Sequence, residues 1–212
     1  MGGKLEVLGD SLPLARYILR RLRDKSTGYV EFRSSLRAAG LLLGAYISRE
    51  LEWRDVEVTT PLEAKAVELE PGEDLHVVGV LGASIPLVEG IVEALPFARI
   101  GLIAARRVEE GENVRVEVYY VRLPEKLDGL TVIADPMLAT GGTAVASVDI
   151  AKARGARKVI VASVIAARQG LERLWAVHPD VPVYTLAVDP ELNKKFFIVP
   201  GLGDAGDRAL GD

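Results

Sequence analysis

Five apolar, β-branched runs constrain this chain more than any other feature. They span 75–81, 99–104, 130–134, 159–165 and 183–188. In each run apolar residues follow one another instead of alternating with polar ones, as in strands covered on both faces. Helical stretches stand between them: 86–94 with Pro86 in its first turn, 143–154 closed by Gly155, and 170–178. Strands joined through helices run parallel, because a tight turn only reverses the chain. The pattern predicts an α/β fold with a mostly parallel five-stranded sheet flanked by helices. A chain of 212 residues, 49% of them hydrophobic, fits a single domain over 1–212 with one substantial core.

Two regions stand outside this rhythm. Leu12, Ala15, Ile18, Leu19 and Leu22 form a helical face behind Ser11, a candidate cap. Phe32, Leu36, Ala39, Leu43, Ile47 and Leu51 repeat the spacing over a longer helix. Residues 1–60 therefore read as an N-terminal helical part, a hood beside the main domain, with a short strand at 56–59. In 106–122, Val114, Val116, Val118 and Tyr120 alternate with polar residues. They face Arg106, Arg107 and Val108 across the turn-like stretch 109–113. That is a hairpin arm projecting from the sheet. A solvated arm, a dimer contact and a flap over a substrate are all open readings of it.

Composition excludes several classes. The net charge is −4 and the basic residues are scattered, so nucleic acid is not an expected partner. No apolar run reaches the length of a membrane span, and the N-terminus lacks the basic-then-apolar build of a leader, so the expected location is cytoplasmic. Without cysteine, disulfides, thiolate catalysis and Cys-metal sites are excluded. His76 falls within a strand and His178 at a helix end. Neither has partners at metal or triad spacing, so both read as structural.

The chemistry is concentrated after the third strand, in Asp135-Pro136-Met137-Leu138-Ala139-Thr140-Gly141-Gly142-Thr143. Strand, polar loop and helix follow in that order. Backbone N–H groups and a helix N-terminus then meet at one point, which suits a phosphate. Gly141 and Gly142 let an anion approach the backbone, and Asp135 stands at the carboxyl end of the strand, where open parallel sheets bind ligands. The run is neither a Walker A loop nor a dinucleotide GxGxxG. A Gly-Gly pair alone would be an ordinary strand-to-helix turn; the acid and the Thr140 and Thr143 hydroxyls turn that preference around.

The whole run resembles the ribose-phosphate loop of the phosphoribosyltransferases. With Pro136 and Met137 behind the acid, it looks like the version found in uracil phosphoribosyltransferases. A second run, Ile198-Val199-Pro200-Gly201-Leu202-Gly203-Asp204-Ala205-Gly206-Asp207-Arg208, is similar almost letter for letter to that family's uracil-binding segment. The motifs come in the family's order, and the resemblance covers roughly residues 20 to 210.

That resemblance implies transfer of phosphoribosyl from phosphoribosyl pyrophosphate to uracil, giving UMP and pyrophosphate. Asp135 would hold the ribose hydroxyls and stabilise a cationic ring. Thr140, Gly141, Gly142 and Thr143 would hold the 5′-phosphate, with Pro136, Met137, Leu138, Ala139 and Asp204 beside them. Arg107 matches the arginine for the pyrophosphate. The base would lie near Met137, Ala139, Phe197, Ile198, Gly203, Asp204 and Ala205, within a C-terminal segment at 190–212. Ile198 and Gly203 would read it by backbone groups, with Phe197, where the family commonly has Tyr, and Met137 as walls. For Asp204, a contact to ribose or water and a simple Asx turn are equally open. Mg²⁺ would be bound mainly through the substrate pyrophosphate, since Pro136 stands where many phosphoribosyltransferases have a second acid. A homodimer or homotetramer and a nucleotide effector such as GTP or CTP are further implications. Arg23-Asp24 and Phe32-Arg33 match family patterns but read as surface residues, and Asp207 with Arg208 reads as a structural ion pair.

One departure stands out. The family's pyrophosphate loop typically reads Leu-Arg-Ala-Gly, whereas this chain has Leu81-Gly82-Ala83-Ser84. Losing a charge-assisted contact to phosphate costs roughly 1.5–3 kcal/mol. Arg106, Arg107 or a partner subunit's arginine would have to compensate. Two alternatives follow: a non-catalytic protein that binds UMP or phosphoribosyl pyrophosphate, and a transferase acting on another base.

Overall fold

The computed structural model describes residues 3–110 and 113–211, with the side chains of 106–115 outside that description. The chain begins with β1 (Leu5–Val7), α1 (Leu8–Ser11), α2 (Pro13–Arg23) and α3 (Tyr29–Ile47). The hairpin β2 (Trp53–Thr59) and β3 (Lys65–Pro71) follows. Next come β4 (Leu75–Leu81), α4 (Ser84–Ala94), β5 (Arg99–Glu110), β6 (Asn113–Arg122) and β7 (Leu130–Ala134). The last third holds β8 (Met137–Leu138), α5 (Gly142–Ala153), β9 (Lys158–Ala167), α6 (Arg168–Val177), β10 (Val183–Asp189), β11 (Glu191–Leu192), β12 (Ile198–Val199) and α7 (Ala205–Leu210).

The main sheet has the order β1-β10-β9-β7-β4-β5-β6, with β8 adding a short pairing to β9. The five strands expected from sequence form its parallel centre. Two more extend it. β1 adds a parallel edge, and β6 returns antiparallel along β5 to make the arm. β5 runs without a break from the sheet into the arm, with a register shift at Ala104/Ala105.

Burial explains the apolar runs. Residues 130–134 are buried throughout, as are residues 75–80. Alternate residues feed two cores. Val77, Val132 and Ala162 belong to the core shared with α2, α3 and α4, whereas Val78, Ile133 and Val161 belong to the core shared with α5 and α6. The N-terminal helices are therefore not a hood set apart. Phe32, Leu36, Leu43 and Ile47 of α3 lie in the same core as β4 and β7. The contact between α3 and α4 is backbone to backbone: a Cβ on Gly40 would fall 2.1 Å from the Leu87 carbonyl oxygen, and one on Gly90 2.0 Å from that of Arg37.

Several local expectations need correction. Ser11 does not cap α2; it ends α1, and α2 starts at Pro13 behind Leu12 with no side-chain cap. The helix expected from Pro86 begins two residues earlier at Ser84. Phe32 is fully buried, and Arg23 turns inward to the carboxylate of Asp189. Arg208 is structural, but its partners are the carbonyls of Leu22, Asp24, Thr27 and Leu202 rather than Asp207. It also lies 4.3 Å over the ring of Phe32. His76 and His178 are structural as read: the first bonds through Nε2 to the Asp128 carbonyl at 2.8 Å, and the second faces Asp149.

The α3–α4 crossing leads to a test. Gly90→Ala should destabilise the protein by about 1–3 kcal/mol, because rigid backbone receives the new methyl. Urea unfolding of the variant beside the wild type measures this.

Candidate active site

The sheet places its functional loops by topology alone. Parallel strands end on one edge, so the loops after β4 and β7 and the segment after β10 gather there. A cleft of about 320 Å³ opens at this edge. It is lined by Asp135, Met137, Leu138, Ala139, Thr140, Gly141, Thr143 and Ala144 from one side, and by Lys195, Phe196, Phe197, Ile198 and Asp204 from the other. Two motifs more than fifty residues apart in sequence thus face each other.

The first wall is held by the sheet. The Asp135 N–H donates to the Ala162 carbonyl, and the Pro136 carbonyl accepts from Val164 and Ile165. Met137 and Leu138 then pair with Ile165 and Ala166. Beyond them the chain turns sharply. Gly141 has φ +78°, a conformation that favours glycine, and a Cβ there would fall 2.6 Å from the Gly170 carbonyl oxygen. Gly170 is equally constrained, since its own Cβ would meet the Ala139 carbonyl oxygen at 2.5 Å. The turn starts α5 at Gly142, leaving the free N–H groups of the first helical turn beside the Thr140 and Thr143 side chains. A helix N-terminus of this kind favours an anion. Pro136 and Gly142 are buried and shape the loop from behind.

Asp135 stands on the cleft floor. Burial pushes its carboxyl up from 3.8 to about 6, opposed by the Met137 N–H, which donates to it at 3.3 Å. No described cation pairs with it. An unpaired carboxylate in such a place favours any positive charge that develops nearby.

The second wall is a small hairpin. β11 and β12 pair antiparallel, and Asn193 closes the loop by accepting from the N–H groups of Lys195 and Phe197. Phe196 takes φ +59° at its tip. A cis peptide precedes Pro200, Gly203 has φ +78°, and Ala205 is fully buried at the start of α7. Asp204 bears out the Asx-turn reading. Its Oδ1 caps α7 by accepting from Gly206 and Asp207, and the residue also lines the cleft.

Sequence reading missed three contributors. Lys195 is the cation among the described residues lining the cleft. The Arg173 guanidinium reaches within 3.4 Å of the position a Cβ on Gly142 would take, which brings positive charge behind the loop. Gly170 gives the loop room to turn. A Lys in a polar hairpin, an Arg on a helix surface and a Gly after Gln169 carry no local signal of a shared site. Arg107 belongs to β5, but its side chain is outside the described residues. Val116 of the arm comes within 3.3 Å of the same Gly142 Cβ position, so the arm's base lies against the anion loop. At Gly82 a Cβ would meet only Leu210, at an ordinary 3.6 Å. Among the described residues no three His, Cys, Asp or Glu side chains cluster as a metal site, and no helix is long and apolar enough to cross a membrane.

Comparison with known proteins agrees with this geometry. The model of the uracil phosphoribosyltransferase family matches residues 10–211. The uracil phosphoribosyltransferase of Aeropyrum pernix is 55% identical over 211 residues, covering 100% of this chain and 99% of the relative. That of Paracoccus denitrificans is 43% identical over 94% of each chain. Among solved structures, the AQ2163 protein of Aquifex aeolicus superposes with a TM-score of 0.89 at 32% identity over 97% of both chains. The adenine phosphoribosyl transferase of Trypanosoma brucei shares the fold, with a TM-score of 0.55 at 17% identity over 87% of this chain and 83% of that one. A family model that matches nearly the whole chain and a relative 55% identical over all of it lead to one conclusion: this chain belongs to the uracil phosphoribosyltransferase family.

Proposed function

We propose that the cleft transfers the phosphoribosyl group of phosphoribosyl pyrophosphate to uracil, giving UMP and pyrophosphate. The observation that carries this reading is the meeting, across one cleft, of an N-terminal helix turn suited to a phosphate and an apolar-walled hairpin suited to a flat base. Thr140, Gly141, Gly142 and Thr143 hold the 5′-phosphate by backbone N–H and hydroxyl groups. Met137 and Phe197 wall the base, Ala139 and Ala205 complete that wall, and the backbone of Ile198 and Gly203 reads its polar edge. Arg107 is assigned to the pyrophosphate by its match to the family's arginine, and Val116 of the arm lies beside the anion loop.

The reaction breaks the ribose C1–O bond, and pyrophosphate leaves with the electron pair. Uracil N1 forms the new bond to C1 and releases its proton to solvent. Positive charge builds on the ribose between these events, and Asp135 stabilises it, while Asp135 and Asp204 orient the ribose hydroxyls. Mg²⁺ fits the donor set only as a substrate-borne ion: Asp135 and Asp204 are the carboxylates lining the cleft, and they would face its waters while it offsets the charge of the diphosphate. Lys195 and Arg173 add positive charge that position 82 lacks. Exposed Leu62, Val67 and Leu69 on the β2–β3 hairpin, and an apolar groove lined by Leu14, Tyr17, Leu41 and Leu42, support a homodimer or homotetramer.

UMP formation from uracil, phosphoribosyl pyrophosphate and Mg²⁺ tests the reading. Asp135→Asn should cut turnover by about 100-fold or more. In the wild type kcat/KM should fall as pH drops below about 6, and the variant should lack that limb. A protein that binds UMP yet makes no product from any base would contradict the proposal.

The same carboxyl governs stability in the opposite sense. Its folded value lies above its ordinary 3.8, so between about 4 and 6 the folded state holds more protons than the unfolded state. Stability from this group is present at low pH and is lost as pH rises through about 6. Urea midpoints of the unliganded wild type relative to Asp135→Asn should therefore decline over that window and level off above it.

Position 82 gives a gain-of-function test. A Cβ at Gly82 would make only an ordinary contact with Leu210, so Gly82→Arg should fold and lower the KM for phosphoribosyl pyrophosphate by roughly 10-fold, the worth of one charge-assisted contact. Initial rates at varied phosphoribosyl pyrophosphate measure it.

A further inference from the structure

Arg23 and Asp189 lie 166 residues apart and outside the cleft lining. Asp189 ends β10 and is 4% exposed. The two form a fork: Arg23 Nη2 donates to Asp189 Oδ1 at 2.6 Å, and Nη1 donates to Oδ2 at 2.8 Å. Both also grip the same residue. Arg23 Nη1 donates to the Gly201 carbonyl at 2.8 Å, while the Gly201 N–H donates to Asp189 Oδ2 at 2.9 Å.

Gly201 is the hinge of the base-side segment. It has φ +61°, and a Cβ there would fall 2.0 Å from the Ile198 carbonyl oxygen, so the chain doubles back tightly. Ile198 lies three residues before it and Gly203 two after it. Fixing both backbone groups of Gly201 therefore fixes the spacing of those two backbone edges. The phosphate-side wall has supports of its own in β7, β8 and Gly170.

We propose that Arg23 and Asp189 are positioning residues for the base: their fork sets the distance between Ile198 and Gly203 and so determines uracil affinity, leaving phosphoribosyl pyrophosphate binding alone. This rests on the reading of 198–205 as the base-binding segment. A forked ion pair with a buried carboxylate and a half-buried guanidinium is well suited to the role, because it defines direction as well as distance.

The test compares Arg23→Lys, which keeps the charge and loses the fork, with the pair Arg23→Met/Asp189→Asn, which leaves no stranded buried charge. Phe197→Ala serves as reference for the base wall. Steady-state KM for each substrate and the melting midpoint are measured for all. Both clamp variants should raise the uracil KM roughly 10- to 100-fold, with the phosphoribosyl pyrophosphate KM held within about 3-fold. Equal rises in both KM values, or a lower melting midpoint with unchanged uracil KM, would overturn the inference while Phe197→Ala still marks the base site. An unchanged uracil KM in Phe197→Ala would instead overturn the base-segment reading, and this inference with it.

Discussion

The site depends on a place where two backbones touch. The loop at 138–141 packs so closely on Gly170 that a Cβ on Gly141 would strike the Gly170 carbonyl and one on Gly170 would strike those of Leu138 and Ala139. That contact lets the chain leave β7, pair briefly with β9 and turn left-handed into α5 within a few residues. The turn brings the start of α5, at Thr143 and Ala144, to the cleft lining. A bulkier residue at either position would push the loop off α6 and displace that helix start. The anion site is therefore a consequence of packing, and side-chain chemistry is added to it.

Charge follows the same logic. The parallel sheet brings Asp135 to the cleft floor, and burial makes its carboxylate poorly solvated. Such a group is costly in the empty protein and most useful when a cation forms beside it. The resulting compromise is ordinary for functional sites, which keep locally unfavourable groups because the rest of the fold tolerates them. Among the described residues, positive charge near the cleft comes from separate elements: Lys195 from the base-side hairpin and Arg173 from α6.

How much was legible in the sequence depended on whether the signal was local. Four of the five central strands read clearly because they are almost wholly buried, while β5 leaves Ile100 exposed, and the loop after β7 read clearly because its order of strand, glycine pair and helix is contiguous. β1 escaped notice because three residues at a sheet edge are too short for any pattern. The β2–β3 hairpin was only half seen: its apolar residues, among them Val67 and Leu69, point to solvent in the described chain. Ser11 looked like a cap because caps are scored from neighbours, whereas α1 claimed it first. Arg23 read as a surface residue because its partners lie 166 and 178 residues away. Long-range polar contacts of this kind leave no trace in spacing.

A crystal structure of the chain with bound UMP tests the central claim most directly. The 5′-phosphate should lie on the N–H groups and hydroxyls of Thr140 to Thr143. The uracil ring should lie between Met137 and Phe197, with its polar edge on the backbone of Ile198 and Gly203 and the ribose beside Asp135. A nucleotide seated elsewhere on the chain, or one whose phosphate and base occupy the opposite ends of this cleft, would contradict it.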